Sequence, residues 1–198
     1  MLWVGLTGGI GTGKSTVTRI LRQHGIPVVD ADALAREVVK VGTDGHREVV
    51  GAFGPGSVSN DGELNRKEIG MKVFNDRTKL EVLERIVHPR VRTLCLQEKN
   101  QLAASGNSIA FYDVPLLFEK KLESTFDQVV VVTCDPQIQI DRLMKRDGFT
   151  EEEALKRMAA QLPLEKKVTA AHFAIHNNGS EVDLEKQVSD LLAKLRKI

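Results

Sequence analysis

Apolar positions along this chain fall into short continuous runs separated by longer stretches with helical periodicity. Five such runs predict β-strands near residues 3–7, 27–30, 108–113, 128–133 and 173–176. The run at 128–133 is almost entirely β-branched, which is typical of a strand buried on both faces. Because helical patterns alternate with these runs, we expect an α/β protein with a five-stranded parallel sheet covered by helices on both faces.

The spacing of the predicted strands is uneven, because residues 31–105 contain no convincing strand. They carry helical patterns at 32–40, 44–53, 66–74 and 77–105. We expect the last of these helices to break or bend at His88–Pro89, since proline disfavours helical backbone at the residue before it. The pattern therefore predicts a helical insertion at 31–105, between the second and third strands.

A second inserted piece follows the fourth predicted strand. A helix is expected at 136–146, with Pro136 in a favourable first-turn position, and a turn at 147–149. Another helix, to about residue 161, begins with the capping box Thr150–Glu153. We call residues 141–169 the lid. The 198 residues are then predicted to form one domain, with its core at 1–30, 106–140 and 170–198.

The strongest chemical signal lies at residues 8–15, which match G-x-x-x-x-G-K-S between a predicted strand and a predicted helix. This is the context that a phosphate-binding loop requires. Its glycines let backbone N–H groups converge on phosphate oxygens, and the helix N-terminus adds roughly half a positive charge. Lys14 can reach the β- and γ-phosphates, and the Ser15 hydroxyl can bind Mg²⁺. The chain is therefore predicted to bind a nucleoside triphosphate through Gly9, Ile10, Gly11, Thr12, Gly13, Lys14, Ser15 and Thr16.

Composition narrows the class of partner. The chain has 28 Lys and Arg against 27 Asp and Glu, so its charge does not favour a nucleic acid or a membrane as partner. Cys95 and Cys134 are too few for a disulfide framework or a cysteine metal site, and we expect a reduced, cytoplasmic protein. No apolar run approaches the ~18 residues of a membrane span. The oligomeric state stays open.

Three carboxylates follow predicted strands, at the edge of a parallel sheet where ligands bind. Asp32 is predicted to accept a proton from an attacking hydroxyl or to orient that hydroxyl, as a kinase catalytic Asp does. The alternative is that Asp32 caps the helix that follows. Asp30 is a weaker candidate for the same chemistry. Asp113 is predicted to hold Mg²⁺, directly or through a water, and the alternative is a cap on the turn at 114–115.

Arg142 and Arg146 are four residues apart on one predicted helix and therefore share a face. Guanidinium groups match phosphate oxygens in a bidentate way, so we predict that this pair, carried by the lid, neutralises the transferring phosphoryl group. The alternative is a solvated helix face, with Arg146 beside Asp147. Arg157 is a weaker candidate. His88, before Pro89, is more typical of a turn histidine than of a proton shuttle.

These motifs, taken in order, resemble the dephospho-CoA kinase family. The likeness runs from residue 1 to about 180. A phosphate loop alone is shared by many NTPases, but its combination with Asp-Ala-Asp and Asp-x-Pro-Leu-Leu-x-Glu is far more specific. The matching segments are 6–15, 30–32, 35–36, 88–89, 113–119 and 177–179.

The resemblance implies a three-layer P-loop kinase fold with a CoA-side helical insertion and a lid. It implies transfer of the ATP γ-phosphoryl group to the ribose 3′-hydroxyl of dephospho-CoA, giving CoA and ADP in the last step of coenzyme A biosynthesis. Lys14 would be catalytic and Asp32 would face the acceptor hydroxyl. The resemblance further implies an adenine-side position for Asn177, and substrate contacts for Asp32, His88, Pro115, Leu116 and Leu117.

Two rival functions differ in class. A nucleoside monophosphate kinase would share the core, the insertion and the lid, but it would need an acceptor pocket that reads a base. A GTPase-like switch protein would need a guanine-reading N/T-K-x-D motif, and the sequence has none.

Overall fold

The computed structural model describes residues 1–74 and 76–198. Its strands are β1 (Leu2–Gly8), β2 (Val28–Asp30), β3 (Ile109–Asp113), β4 (Gln128–Thr133) and β5 (Phe173–His176). Its helices are α1 (Lys14–Gln23), α2 (Ala31–Glu37), α3 (Asp44–Phe53), α4 (Arg66–Phe74), α5 (Arg77–Ala104), α6 (Pro136–Asp147), α7 (Glu151–Ala159), α8 (Leu164–Ala170) and α9 (Glu181–Leu195).

The strands form one sheet in the order β2-β3-β1-β4-β5. β1 pairs in parallel with both β3 and β4, and β4 pairs in parallel with β5. This confirms the predicted α/β class and its five strands. Strands β2 and β3 lie on one side of β1, and strands β4 and β5 lie on the other. The carboxyl end of β1 therefore lies at the switch of strand order, where open α/β sheets bind ligands.

One face of the sheet carries the main apolar core. Alternate residues of the strands face α1 and α9, as the two-residue period of a strand requires. Val4 and Leu6 of β1 and Val130 and Val132 of β4 are 0 % exposed. They pack with Val17 and Ile20 of α1, Leu184 and Val188 of α9, and further apolar residues of β3 and β5. Continuous burial of β1, β3 and β4 explains why these strands are apolar except near their ends.

The other face is covered near β1 by the segment that follows β3. Gly5 lies so close to this cover that a Cβ atom would stand 2.7 Å from Leu117 and 2.9 Å from Phe126. Trp3 stacks on Tyr112, with ring centroids 5.8 Å apart. The absence of a side chain at Gly5 is thus what lets the residue 114–126 segment pack directly on the central strand.

The chain divides into two compact units, residues 1–29 with 102–198, and residues 30–101. The first holds the sheet, α1 and α6–α9. The second is helical and has its own apolar core, which includes Val49, Phe53, Ile69 and Ile86. Among the residues that the structure describes, no helix has both the length and the apolar character needed to cross a bilayer.

Two helix predictions need correction. We expected a break or bend at His88–Pro89. α5 is one helix through both residues, so the expected break is wrong, while the bend stays a prediction. Pro89 removes one backbone N–H, and the Arg90 guanidinium donates to the Ile86 carbonyl at 2.6 Å beside it. His88 is therefore a helix residue and not a turn residue. The sequence reasoning also missed α8, which follows the helix that was expected to end near residue 161.

Candidate active site

The phosphate loop, residues 8–15, connects β1 to α1. Gly13 is the residue before α1 and has φ of 88°, in the left-handed region. A Cβ atom there would stand 2.1 Å from the Asn177 amide nitrogen, so only glycine fits.

No side chain caps the start of α1. The N–H groups of Thr16 and Val17 bond to the Gly13 carbonyl. The N–H groups of Lys14 and Ser15, which precede them, are placed to bind water or a ligand, and an anion suits them best.

Lys14 is held at the carboxyl end of β3. Its ammonium group pairs with Asp113, which is only 5 % exposed. The second oxygen of Asp113 accepts a hydrogen bond from Thr18 at 2.9 Å. The Asp113 carboxylate therefore fixes both the loop lysine and the first turns of α1. Incoming phosphates would compete with Asp113 for the Lys14 ammonium group.

Arg142 and Asn177 support the phosphate loop by donating hydrogen bonds to its backbone carbonyls. The Arg142 guanidinium donates to the carbonyls of Gly11 at 3.4 Å, Thr12 at 3.2 Å and Asn177 at 3.1 Å. The Asn177 side-chain amide donates to the Thr12 carbonyl at 2.8 Å. Asn177 is 6 % exposed, and its side chain supports the loop.

Arg142 and Arg146 share α6, but their surroundings differ. Arg146 pairs with Asp147 through two hydrogen bonds of 2.9 and 2.7 Å, and its side chain is 63 % exposed. Hydrogen bonding to Asp147 raises the pKa of Arg146. Arg157, from α7, lies 4.3 Å above the centre of the Phe149 ring. Of these three predicted arginines, Arg142 is the one bound to the phosphate loop.

The segment after β3 carries the residues expected to contact the acceptor. The Thr7 hydroxyl donates to the Pro115 carbonyl at 3.1 Å and so ties this segment to β1. Leu116 is 39 % exposed, whereas Leu117 is 0 % exposed. Leu117 packs over Gly5 in this structure, and its expected substrate contact stays a prediction. Pro115 and Leu116 keep surface that a ligand can reach.

In the helical unit, the cap at the start of α2 is Asp30 and not Asp32. The Asp30 carboxylate accepts the N–H groups of Asp32 at 2.8 Å and Ala33 at 3.1 Å. Asp32 is exposed in the first turn of the helix. The capping alternative raised for Asp32 thus belongs to its neighbour. His88 lies on α5 with its ring 3.9 Å from the Glu84 carboxylate.

The donor set suits magnesium. Ser15 presents an exposed hydroxyl at the start of α1, and Asp113 supplies a carboxylate in the same unit. Mg²⁺ usually keeps several waters and takes one or two carboxylates together with substrate phosphates. Within residues 1–74 and 76–198, no group of three or more His, Cys, Asp or Glu side chains forms a metal cage. A metal at this site would therefore need the nucleotide to complete its ligands.

Two side chains that the sequence reasoning overlooked lie beside the loop. Lys167 of α8 is 0 % exposed and lies 2.7 Å from Glu119. Glu119 is in the quoted 113–119 motif, so the sequence offered a signal for it. Lys167 gave none, because Lys166 and Lys167 together look like an ordinary solvated pair.

A phosphate loop on the central strand of a parallel sheet, with a buried aspartate on its lysine, defines a P-loop nucleotide-binding protein. The chain matches the family model described as dephospho-CoA kinase over residues 2–183. It therefore belongs to the dephospho-CoA kinase family, whose members are ATP-dependent kinases.

Individual relatives agree with this membership. A dephospho-CoA kinase of Geobacillus kaustophilus is 48 % identical, over 96 % of this chain and 95 % of that protein. One from Listeria innocua is 46 % identical, over 93 % and 92 %. Among solved structures, a Thermus thermophilus protein has a TM-score of 0.85 at 38 % identity, over 98 % of this chain and 97 % of that one. Dephospho-CoA kinase from Campylobacter jejuni has a TM-score of 0.75 at 25 % identity, with the same coverage.

Proposed function

We propose that this chain transfers the γ-phosphoryl group of ATP to the ribose 3′-hydroxyl of dephospho-CoA and releases CoA and ADP. The observation that carries the proposal is the phosphate loop held by Arg142 and Asn177, with Lys14 at its end, in a chain of this family. The chemistry is an in-line displacement: the acceptor oxygen bonds to the γ-phosphorus while the bond to the β,γ-bridging oxygen breaks.

On the donor side, the N–H groups of residues 9–16 are proposed to bind the ATP phosphates. Lys14 is proposed to exchange its contact with Asp113 for phosphate oxygens, or to share it. Its charge then stabilises the negative charge that grows on those oxygens as the bond breaks. The adenine is proposed to lie on the side of Asn177.

On the acceptor side, Asp32 is proposed to receive the proton of the attacking hydroxyl or to orient that hydroxyl. Its exposed position and the cap supplied by Asp30 support this role, because they leave its carboxylate free of a structural task at the helix start. His88, Pro115 and Leu116 are proposed to contact dephospho-CoA, with residues 31–105 as the CoA-side insertion.

Members of this family use ATP, and such kinases generally need a divalent metal. We propose Mg²⁺, held by Ser15 and, directly or through a water, by Asp113. When bound, it would neutralise charge on the phosphate oxygens.

Arg142 and Arg146 are proposed to act on the transition state. Arg142 donates to loop carbonyls and Arg146 to Asp147, so either guanidinium would have to exchange these contacts for phosphate oxygens. We further propose that the substrates are the small molecules ATP and dephospho-CoA, and that the protein has neither a nucleic-acid partner nor a membrane partner. We also propose a cytoplasmic location, which the thiol state of Cys95 and Cys134 supports.

The proposal is tested by ADP release with a panel of acceptors, each product being identified by mass. Release with dephospho-CoA, together with a product heavier by one phosphoryl group, is the expected result. Faster release with a nucleoside monophosphate would favour a nucleotide kinase. Release with water alone would contradict a kinase assignment.

A further inference from the structure

The feature that the proposed mechanism leaves unused is the buried ammonium group of Lys167. Its side chain is 0 % exposed, and its Nζ lies 2.7 Å from Glu119 and 3.4 Å from the Gly8 carbonyl. Burying an ammonium group costs several kcal/mol unless a carboxylate and further hydrogen bonds compensate it. A lysine in such a position is therefore part of a built contact and not a surface charge that happens to point inward.

Glu119 joins three segments that are distant in the chain. The oxygen that binds Lys167 also accepts the backbone N–H of Leu162 at 3.0 Å. Leu162 belongs to the lid, Lys167 to α8 within the same lid, and Glu119 to the segment after β3. Through Lys167 the carboxylate also reaches Gly8, the first residue of the phosphate loop. The other oxygen of Glu119 is buried and has no hydrogen-bond donor among the described residues.

The charge state of Glu119 agrees with this arrangement. Burial would raise the pKa of the carboxyl group, but hydrogen bonds from Lys167 and from backbone amides outweigh it and lower the pKa. Glu119 is therefore ionised at neutral pH and balances the buried ammonium group.

A second contact joins the same part of the lid to the loop. The Gln161 side chain accepts the Ile10 N–H at 2.9 Å, and the Ile10 carbonyl accepts from Gln139 at 2.7 Å. Gln161 directly precedes Leu162. Two consecutive lid residues are thus bound, one to the phosphate loop itself and the other to the carboxylate that holds Lys167.

We propose that Glu119 and Lys167 are positioning residues that anchor the C-terminal end of the lid, residues 161–167, to the start of the phosphate loop. The anchor fixes residues 161–167 relative to the phosphate loop. When the rest of the lid closes, it therefore reaches the loop in a single orientation. This inference rests on the proposed function, since it takes residues 141–169 as the lid of a phosphoryl-transfer enzyme. A pair that only filled space would have no effect on turnover once folding was restored.

The test uses the double variant Glu119→Gln with Lys167→Met, which removes both buried charges together. Replacing a buried ion pair with neutral groups of similar volume is often close to neutral for stability, whereas removing one partner is strongly destabilising. We expect the melting temperature of the double variant to be close to that of wild type and kcat to fall by roughly 10²-fold, as small misplacements remote from the chemistry can cause. The Kd for ADP, measured by calorimetry, should change far less than kcat, because the carbonyls of residues 9–12 keep their donors. Lys166→Met is the matched control, because Lys166 is exposed and adjacent.

A double variant with both the melting temperature and the kcat of wild type would overturn the proposal. Hydrogen exchange gives a readout independent of the acceptor: with ADP bound, the Leu162 amide should exchange faster in the double variant than in wild type or in Lys166→Met. Equal exchange would also overturn the proposal. If the double variant fails to fold, Gln161→Ala tests the anchor outside the ion pair, and an unchanged kcat would contradict it. Failure of wild type to phosphorylate dephospho-CoA would refute the proposed function, while the exchange measurement would still test the anchor.

Discussion

We expect Asp30 to contribute to stability and Asp32 to the chemical step, and conservative substitutions at the two positions test this division. Asp30 caps α2 with two hydrogen bonds, of 2.8 and 3.1 Å, whereas Asp32 is exposed in the first turn. The substitution Asp32→Asn keeps the side-chain shape but can no longer accept a proton. We expect it to reduce kcat severely and to leave the fold nearly unchanged.

The magnitudes follow from these positions. General-base contributions are typically about 10²–10⁴-fold, or roughly 3–5 kcal/mol of barrier at about 1.4 kcal/mol per decade. A first-turn carboxylate stabilises a helix by about 0.3–1 kcal/mol through the helix dipole. At roughly 2–4 °C per kcal/mol for a chain of this length, Asp32→Asn should lower the melting temperature by no more than about 4 °C. Loss of the Asp30 cap costs about 1 kcal/mol, with almost no direct chemical effect.

The assay measures kcat and both KM values by coupled ADP release, together with thermal melts of Asp32→Asn, Asp30→Asn and Asp30→Ala. Asp30→Asn is the matched control, since Asn caps about as well as Asp and the chemical change is the same. Asp32→Asn should lose kcat with the KM for ATP unchanged, and Asp30→Ala should lose stability alone. If Asp32→Asn turns over within a few-fold of wild type, the base assignment is wrong. A rise only in the KM for dephospho-CoA would point to binding of the acceptor.

Three further predictions concern other charged groups. Lys14→Ala should reduce turnover by on the order of 10²–10³-fold with an unchanged circular dichroism melt, and activity close to wild type would rule out its catalytic role. Arg142→Lys should lose turnover because lysine lacks the planar fork that meets three carbonyls, while Arg146→Lys should lose less; equal kcat in all three proteins would show that turnover needs neither guanidinium. Glu119 has a lowered pKa, so its stabilising contribution is present above the ordinary glutamate value of about 4.3 and is lost as pH falls through the lower folded value. The difference in melting temperature between wild type and Glu119→Gln should therefore shrink from pH 7 to pH 3, and a constant difference would show that the charge of Glu119 is not responsible.

Local patterns predicted most of the fold. The five strands, α3, α4 and the capping box before α7 depend on residues within a short window, and the structure has each of them. Pro89 is different, because its local preference for a break competes with the length of α5 and the packing of Ile86 in the helical unit. The carbonyl that loses its helical donor at Pro89 is that of Arg85. The Arg90 guanidinium bonds to the next carbonyl, that of Ile86, and so does not replace the lost bond.

The positions of the candidate site residues were predictable where they stand at fixed offsets within a motif, and their roles stay predictions. Lys14 and Ser15 follow from the loop pattern, and Asp113 follows from its place at the end of a strand. The packing of Leu117 was not predictable, because its motif gives its position in the chain and not its direction, and the direction depends on the missing side chain of Gly5. Lys167 could not be found, since the carboxylate that justifies its burial is 48 residues away in sequence.

The same reasoning explains why a glycine-rich sequence is not by itself a phosphate site. N–H groups can converge on an anion only if the loop carbonyls point away from it, into the protein interior. Each carbonyl buried in this way needs a hydrogen-bond donor. Here each carbonyl from residue 8 to residue 12 has one: Gly8 from Lys167, Gly9 from Thr12, Ile10 from Gln139, Gly11 from Arg142, and Thr12 from Arg142 and Asn177. Apart from Thr12, these donors come from α6, α8 and the turn after β5, far from the motif in sequence. The loop pattern therefore permits the cradle, and the donors behind it hold the cradle in the shape that binds phosphate before the nucleotide arrives.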